Sequence, residues 1–158
     1  MSTSASRNSA ERQVRAIADF QFGKGAGEAL FPTDCRIVRS KTRRVRQVML
    51  GDERIVTVRA QDGRFTLGIE GARRLAQALP APAYRVVIAD EVASFVAEGK
   101  NAFAKHVVSA DTGIRPGDEV IVVSGEDRVI ATGQALLSGK EMMAFDYGVA
   151  VKVRKGGK

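Results

Sequence analysis

The chain has 158 residues, enough for one ordinary domain or two small ones, and 44% of them are hydrophobic, which is enough for a packed core. It contains one cysteine, Cys35, which excludes an internal disulfide framework and a zinc site built from several thiolates. We find no stretch apolar enough to span a bilayer and no signal peptide, so we expect a reduced, cytoplasmic setting without membrane contact.

The net charge of +7 is distributed unevenly along the chain. Residues 1–80 contain 15 Lys and Arg against 8 Asp and Glu, whereas residues 81–158 contain 10 of each. A basic protein favours a polyanionic partner. The asymmetry predicts two units with different electrostatic roles, of which the first carries the excess charge.

The N-terminal segment, residues 1–9, is small and polar, and we expect a disordered arm there. Asn8 and Glu11 have the spacing of a helix-capping pair, so a helix is predicted from Ser9. Its apolar face contains Val14, Ile17 and Ala18. The helical pattern breaks in the glycine-rich residues 23–27 and is expected to resume through residues 28–31.

Short alternating segments then predict four strands, at residues 35–40, 45–50, 54–60 and 64–69. Gly51-Asp52 and Asp62-Gly63 are turn residues between them, and the second pair is a strong hairpin signal. Residues 70–79 form a second amphipathic helix. Together these elements predict a basic α+β domain over residues 10–79.

Two prolines within residues 80–83 predict an extended linker and a domain boundary. Beyond it we expect a strand at 84–89, then a short helix capped by Asp90 and ended by Gly99. Further strands are expected at 101–108, 118–124, 128–137 and 148–154. Short strands with glycine-rich turns and one helix predict a small barrel or partly open sheet over residues 84–155.

No group of residues has the pattern of a catalytic site. His106 and Cys35 lie far apart in sequence and neither is in a nucleophile motif. Residues 23–27 lack the spacing and the Lys-Ser/Thr ending of a phosphate-binding loop, so we interpret them as a turn. Adjacent carboxylates occur at turns and at a helix start, where capping and solvation explain them. We therefore predict no catalytic residues, no metal site and no cofactor.

Residues 36–46, RIVRSKTRRVR, contain six cations and no carboxylate. Charged residues on an edge strand also protect a sheet from aggregation. However, arginine binds phosphate oxygens with two parallel hydrogen bonds, so we favour a phosphate-binding patch, extended by Arg54 and Arg59. The predicted patch comprises Arg36, Arg39, Lys41, Arg43, Arg44 and Arg46.

The second half resembles a PUA domain, through YRVVIADEVASFVAEGKNAFAKHVV, IRPGDEVIVVS, RVIATGQALLS and GVAVKVR. In the first half, ADFQFGKGAGEALFP, RSKTRRVRQV and DGRFTLGIEGARRL resemble the small α+β domain that precedes PUA in archaeosine tRNA-guanine transglycosylase. The related archaeosine synthase carries the same pair. The two resemblances cover the chain from about Ala10 to its end and imply an α+β domain followed by a β-pseudobarrel.

The resemblance implies RNA binding through the helix-to-strand glycine loop and the last strand of the PUA domain. Many PUA domains have Pro-Gly where this chain has Lys105-His106, which changes the backbone contacts expected there. We expect Phe103 to pack in the core, and Gly99 serves either as a helix end or as an RNA contact. Carried over, the RNA-binding residues are Arg85, Gly99, Lys100, Asn101, Ala102, Phe103, Lys105, His106, Lys152, Arg154 and Lys155.

The catalytic barrel of the transglycosylase cannot fit in a chain of this length, and one cysteine cannot supply the zinc site of that barrel. We therefore interpret the protein as a non-catalytic binder of structured RNA, with tRNA as the expected partner. It would be the detached accessory part of such an enzyme, with a separately encoded catalytic subunit or alone. The alternative is a protein-interaction subunit with little RNA affinity of its own. The sequence leaves homo-oligomerisation open.

Overall fold

The computed structural model describes residues 2–158, with side chains from Ser9 onward. The chain divides into two compact units, Met1–Ala78 and Leu79–Lys158. Each unit has its own sheet. The fold is therefore α+β, as the sequence predicts, and each unit is described by itself below.

The first unit combines three helices with a four-stranded antiparallel sheet of order β1-β2-β3-β4. Its helices are α1 (Ser2–Phe22), α2 (Ala26–Leu30) and α3 (Ile69–Ala78). Its strands are β1 (Arg36–Arg39), β2 (Val45–Leu50), β3 (Glu53–Val58) and β4 (Phe65–Leu67). The predicted turns lie between β2 and β3 and between β3 and β4, where Gly51 and Gly63 have φ values of 59° and 72°. Alternation and turn chemistry thus place all four strands.

Helix α1 begins earlier than the sequence predicted. It extends from Ser2, so Asn8 lies inside the helix rather than at its cap, and the disordered arm predicted for residues 1–9 is helical from Ser2 onward. Met1 lies outside the described residues. Residues 2–22 contain no glycine or proline, so no helix-breaking residue prevents the helix from extending back to Ser2. Val14, Ala18 and Phe22 form its buried stripe.

The core of the first unit lies between the helices and one face of the sheet. Val48, Ile55 and Leu67 are fully buried there. Helix α3 approaches β3 so closely that a Cβ atom at Gly71 would lie 2.2 Å from the Ile55 carbonyl oxygen. The Gly68 amide donates a hydrogen bond to the same oxygen, at 2.8 Å. This backbone contact requires glycine at the start of α3.

The second unit is a six-stranded sheet of order β6-β10-β9-β8-β5-β7, with β5 and β8 parallel and the other pairs antiparallel. Its strands are β5 (Arg85–Ile88), β6 (Ala102–Phe103), β7 (Val107–Ala110), β8 (Glu119–Val123), β9 (Val129–Ala135) and β10 (Val149–Gly156). Its helices are α4 (Ala93–Ala97) and α5 (Gly139–Ala144). One apolar cluster, which includes Val120, Val122 and Val151, forms the core of this unit.

The two edge strands of this sheet, β6 and β7, are joined by a single 3₁₀ turn, Ala104–His106. Because three residues connect opposite edges, the sheet curves into a nearly closed barrel. The prediction of one strand over residues 101–108 was wrong for this reason. The chain must turn after β6, because the next strand, β7, pairs with β5 at the other edge of the sheet.

Helix α4 lacks the cap that the sequence predicted. Asp90 begins a 3₁₀ turn, Asp90–Val92, and neither this turn nor α4 has a side-chain cap hydrogen bond. The predicted end at Gly99 is present: its φ is 107° and its amide donates to the Val96 carbonyl at 2.9 Å. Glycine adopts this left-handed conformation at little cost.

Helix α5 was not predicted. It is preceded by a complete capping box, in which Ser138 accepts from the Glu141 amide and Glu141 accepts from the Ser138 amide. The Ser-x-x-Glu spacing is the local signal that identifies this helix. None of the helices in the described part of the chain is long and apolar enough to cross a membrane.

Replacement of Gly71 by alanine is expected to lower the free energy of unfolding by about 1–3 kcal/mol, because the methyl group would overlap the Ile55 carbonyl. In an open helix the same change stabilises by roughly 0.5–1 kcal/mol, so the sign of the effect tests the packing. Urea unfolding followed by circular dichroism measures it. Gly125→Ala is the control, because its added Cβ meets nothing closer than 4.0 Å. Unchanged or increased stability of Gly71→Ala would contradict the close contact.

Candidate nucleic-acid interface

The basic residues of the first unit lie on one tight hairpin. Strands β1 and β2 are joined by a turn in which the Ser40 amide donates to the Arg44 carbonyl at 2.8 Å and the Arg43 amide donates to the Ser40 carbonyl at 2.9 Å. Arg43 has a φ of 67°, a conformation that is uncommon for a residue with a side chain. The Arg39 guanidinium donates to the Arg43 carbonyl at 2.9 Å. The backbone of the turn thus fixes where these cations lie.

All six cations of the predicted phosphate patch are exposed, and within the part of the chain that the structure describes none of them forms an ion pair. Elsewhere in the first unit, Arg15, Arg59 and Arg74 each face a carboxylate. The positive charge of the hairpin is therefore uncompensated, in contrast to that of Arg15, Arg59 and Arg74.

The patch is divided between the two faces of the sheet. Ile37 pairs with the buried Val48, so Ile37 and, by alternation, Arg39 lie on the face that packs against the helices. Arg36 pairs with Met49 on the opposite face. The six predicted cations consequently do not form one flat surface.

A groove of about 930 Å³ lies at the end of the first unit where the β1–β2 and β3–β4 turns meet helix α1. Four of the predicted cations line it, and Arg36 and Lys41 do not. The groove is lined by Gln13, Val14, Ile17, Arg39, Ser40, Thr42, Arg43, Arg44, Val45, Arg46, Val58, Arg59, Ala60 and Gly63.

The two arginines that were expected to extend the patch have different surroundings. Arg59 lines the groove but binds Asp62 through two hydrogen bonds, at 3.2 and 2.6 Å. The pKa of the Asp62 carboxyl is lowered, first by the Arg64 amide and then by Arg59. Arg54 donates to Thr57 and to the Leu67 carbonyl and does not line the groove. Neither residue adds an uncompensated charge to the groove.

In the second unit, the predicted glycine loop and the last strand lie side by side. Strand β6 pairs with β10 through Phe103 and Val149. The Asn101 side chain accepts a hydrogen bond from the Val153 amide at 2.9 Å. A Cβ atom at Gly156 would lie 2.1 Å from the Ala97 carbonyl oxygen, so the strand passes directly against the end of α4. The structure therefore brings together the two segments that the sequence assigned to RNA contact.

The predicted residues of these two segments differ in their exposure. Gly99, Lys100, Asn101, Lys105, Lys152 and Lys155 are exposed, His106 is partly buried, and Ala102 is buried. Arg154 binds the buried Glu119 through two hydrogen bonds, at 2.6 and 2.8 Å. The lysines and the loop backbone are open to a ligand, whereas the charge of Arg154 is compensated within the unit.

Arg85 is used inside the second unit. Its side chain is 2% exposed, forms two hydrogen bonds to Asp127, at 2.8 and 3.2 Å, and donates to the Ala83 carbonyl. The resemblance to PUA domains placed Arg85 at the border of an RNA groove. Asp127 lies 42 residues away in sequence, so no local pattern could reveal this pair.

Phe103 is 41% exposed and is not the core residue that the sequence predicted. Strand β6 has only two residues, and the other one, Ala102, points inward. The Phe103 ring meets His106 edge to face, with centroids 6.1 Å apart. An aromatic surface therefore accompanies the predicted loop.

A second aromatic pair was missed. Phe145 and Tyr147 are stacked with centroids 5.7 Å apart and an angle of 5° between their planes, and Tyr147 is 71% exposed. The pair precedes β10, and the Ala104 amide donates to the Gly148 carbonyl at 2.9 Å, so the backbone next to the pair contacts the residue that follows Phe103. The Phe-x-Tyr-Gly spacing before a strand is the only sequence signal for it.

Cys35 and the glycine-rich segment, which were both considered for chemistry, have surroundings that do not favour it. Cys35 is buried, and its pKa is raised, first by burial and then by the Glu11 carboxylate, which makes it a poor nucleophile at neutral pH. In the glycine-rich segment, the Gly27 amide binds the Asp19 carboxylate at 2.8 Å, so a carboxylate of this chain already binds an amide of the turn. Among the described residues, no three His, Cys, Asp or Glu side chains are grouped closely enough to hold a metal ion.

Comparison with protein families gives two matches, one for each unit. Residues 12–82 match the patch-forming domain C2 of tRNA-guanine transglycosylase, and residues 84–157 match the PUA domain. A tRNA-guanine(15) transglycosylase from Pyrococcus abyssi is 52% identical over 150 residues, which are 95% of this chain and 25% of that protein. That of Methanothermobacter thermautotrophicus is 49% identical over 146 residues, 92% of this chain and 22% of that protein. The chain thus spans about a quarter of the length of these relatives.

Solved structures show the same fold at low sequence identity. A hypothetical protein from Pyrococcus horikoshii OT3 superposes with a TM-score of 0.74 at 23% identity, covering 94% of this chain and 90% of the other. A conserved PUA domain protein from Thermoplasma acidophilum gives 0.64 at 20% identity, covering 94% and 89%. The chain is therefore a PUA-domain protein in which a C2 domain and a PUA domain together resemble the C-terminal part of archaeal tRNA-guanine transglycosylases.

Proposed function

We propose that this chain is a non-catalytic RNA-binding protein that binds tRNA as an accessory to a tRNA-guanine transglycosylase, in the modification that produces archaeosine. The names and the 49–52% identity of its relatives support the tRNA assignment. Most of the length of those relatives lies outside the region that matches this chain. In this proposal a transglycosylase partner supplies the chemistry.

The observation that carries the proposal is the uncompensated charge of the β1–β2 hairpin. Six exposed cations without an ion pair repel one another, and a polyanion relieves that repulsion. Contacts to phosphate oxygens position a nucleic acid without reading its sequence. The phosphate contacts of the C2 domain would therefore supply affinity rather than selectivity.

The PUA domain would supply the preference for a particular RNA end. Its loop exposes backbone at Gly99 next to Lys100 and Lys105, and A-form RNA is recognised mainly through its shape, phosphates and 2′-hydroxyl groups. The exposed rings of Phe103 and Tyr147 offer surfaces on which unpaired bases can stack. This combination suits a junction between a stem and a single strand.

Replacement of Arg39, Arg43, Arg44 and Arg46 together by glutamine is expected to weaken binding of all structured RNAs alike. Each lost phosphate contact should reduce the slope of log K against log salt by about 0.7–0.9, so we expect a decrease of roughly 2–4. Fluorescence anisotropy with labelled tRNA at several salt concentrations measures this slope.

The matched control removes four exposed cations that lie outside both surfaces, Lys24, Arg73, Arg115 and Arg128. It has the same net charge as the first variant, so a nonspecific effect of charge would change both slopes equally. An unchanged slope in the arginine variant, or equal changes in both, would remove the hairpin from the interface.

Replacement of Lys100 and Lys105 by glutamine is expected to reduce the preference for tRNA with an intact single-stranded 3′ end over the same tRNA with that end removed. The reason is that these lysines flank the exposed loop backbone. The ratio of the two dissociation constants is the measurement, and Arg115→Gln with Arg128→Gln is the control. A variant that loses affinity for both RNAs while the ratio stays constant would contradict the role of the loop.

Tyr147→Ala is expected to weaken binding of RNA with unpaired bases by roughly fivefold or more, because stacking on an aromatic side chain contributes about 1–3 kcal/mol per base. Tyr147→Phe keeps the ring and should keep the affinity. Binding of a blunt duplex should not change in either variant. Equal losses for Ala and Phe would indicate that the hydroxyl rather than the ring is used.

A protein-interaction role is the alternative outcome of these measurements. Wild-type protein whose RNA binding is weak and equal for all RNAs, but which forms a stable complex with a transglycosylase barrel, would overturn the proposal. In that case the exposed apolar side chains Val108, Leu136 and Met143 would be the first surface to examine.

A further inference from the structure

The groove of the first unit has a charged rim and an apolar floor. Its lining contains the exposed arginines of the hairpin, which we call the rim. It also contains less exposed apolar side chains, which we call the floor: Val14 and Ile17 of α1, Val45 of β2 and Val58 of β3. Val14 is buried, and the other three are partly exposed. Phosphate contacts are made by charged side chains and amide groups, so phosphate binding alone does not account for an apolar floor.

The charges of the rim indicate an anionic ligand. Arg59 is neutralised by Asp62, which leaves Arg39, Arg43, Arg44 and Arg46 without a carboxylate partner among the described residues. No Asp or Glu lines the groove. The guanidinium plane of arginine also stacks on nucleobases, so this side chain can contact both parts of a nucleotide.

The size of the groove suits a ligand larger than a phosphate ion. Its volume of about 930 Å³ lies within the roughly 300–1,000 Å³ that is typical of pockets for small organic ligands. The hydroxyl groups of Ser40 and Thr42 and the amide of Gln13 add hydrogen-bonding groups at the rim. The arginines can bind a phosphate, the hydroxyl groups can bind a sugar, and the apolar floor can contact a base.

We propose that this groove binds one unpaired nucleotide of the RNA, with its phosphate at the arginine rim and its base on the floor formed by Ile17, Val45 and Val58. The proposal rests on the RNA-binding function proposed above. It assigns the C2 domain a contact that depends on an extruded base, in addition to its sequence-independent phosphate contacts. The groove lies entirely within the first unit.

The test uses the full chain and three RNA probes: a stem with one bulged nucleotide, the same stem with an abasic bulge, and the fully paired stem. We expect the bulged stem to bind about fivefold more tightly than the abasic one, because the base buries apolar surface in the groove. Equal binding of the bulged and abasic stems would overturn the proposal.

Val45→Thr places a hydroxyl on the floor with little change in shape and suits a β-strand. We expect it to abolish most of the preference for the bulged stem and to leave the salt slope unchanged. The control is Val108→Thr, an exposed valine on β7 of the other unit, which should keep the preference. A Val45→Thr variant that retains the full preference would also overturn the proposal.

A titration with free adenosine and guanosine monophosphates distinguishes a nucleotide of RNA from a free mononucleotide as the ligand of the groove. We expect no saturable binding at concentrations where the bulged stem saturates. If a free mononucleotide binds tightly and Val45→Thr weakens that binding, the ligand of the groove is a soluble mononucleotide, and the proposal of an RNA nucleotide is overturned. If Val45→Thr keeps the preference for the bulged stem while the arginine variant still lowers the salt slope, only the groove proposal is refuted. If the protein does not bind RNA at all, the proposed function itself is refuted.

Discussion

The electrostatic repulsion among the cations of the β1–β2 hairpin is the constraint on which the rest of the first unit depends. Repulsion between exposed charges is modest in water but extends over about 10 Å at ordinary ionic strength. The first and last Cα atoms of a four-residue strand are also roughly 10 Å apart. The structure keeps these charges together through backbone bonds of the turn and through the burial of Val48, Ile55 and Leu67 beneath it. The turn and the apolar core therefore hold together a group of mutually repelling charges.

The second unit handles its charges in the opposite way. Arg85 and Arg154 are each matched to a carboxylate, Asp127 and Glu119, and the remaining exposed cations of the unit are mainly lysines. A matched pair contributes to the internal order of a domain but contributes little to long-range attraction. The balance of ten cations and ten carboxylates in residues 81–158 fits the short-range role that we propose for this domain.

The sequence predicted most of what depends on local chemistry. Alternation located the four strands of the first unit, and the glycines at 51, 63 and 99 marked turns and a helix end. Two of the failures depend on contacts between residues distant in sequence. The break between β6 and β7 follows from closure of the sheet, and the partner of Arg85 is 42 residues away. Helix α5 is the exception, because its capping box was present in the sequence and was overlooked.

The charge of residues 36–46 alone does not predict which of their cations form one binding site. Six neighbouring cations predicted a patch, yet the pleat of the sheet sends Arg36 to one face and Arg39 to the other, and only a groove resolved in three dimensions shows which of them act together. Long-range attraction treats every RNA alike, so any selectivity must come from groups that act on contact. We propose that such groups are apolar or aromatic in both units: the partly exposed Val45 in the groove of the first unit, and the exposed Phe103 and Tyr147 beside the loop of the second. Under this proposal, the side chains that select the RNA are ones that the net charge does not reveal.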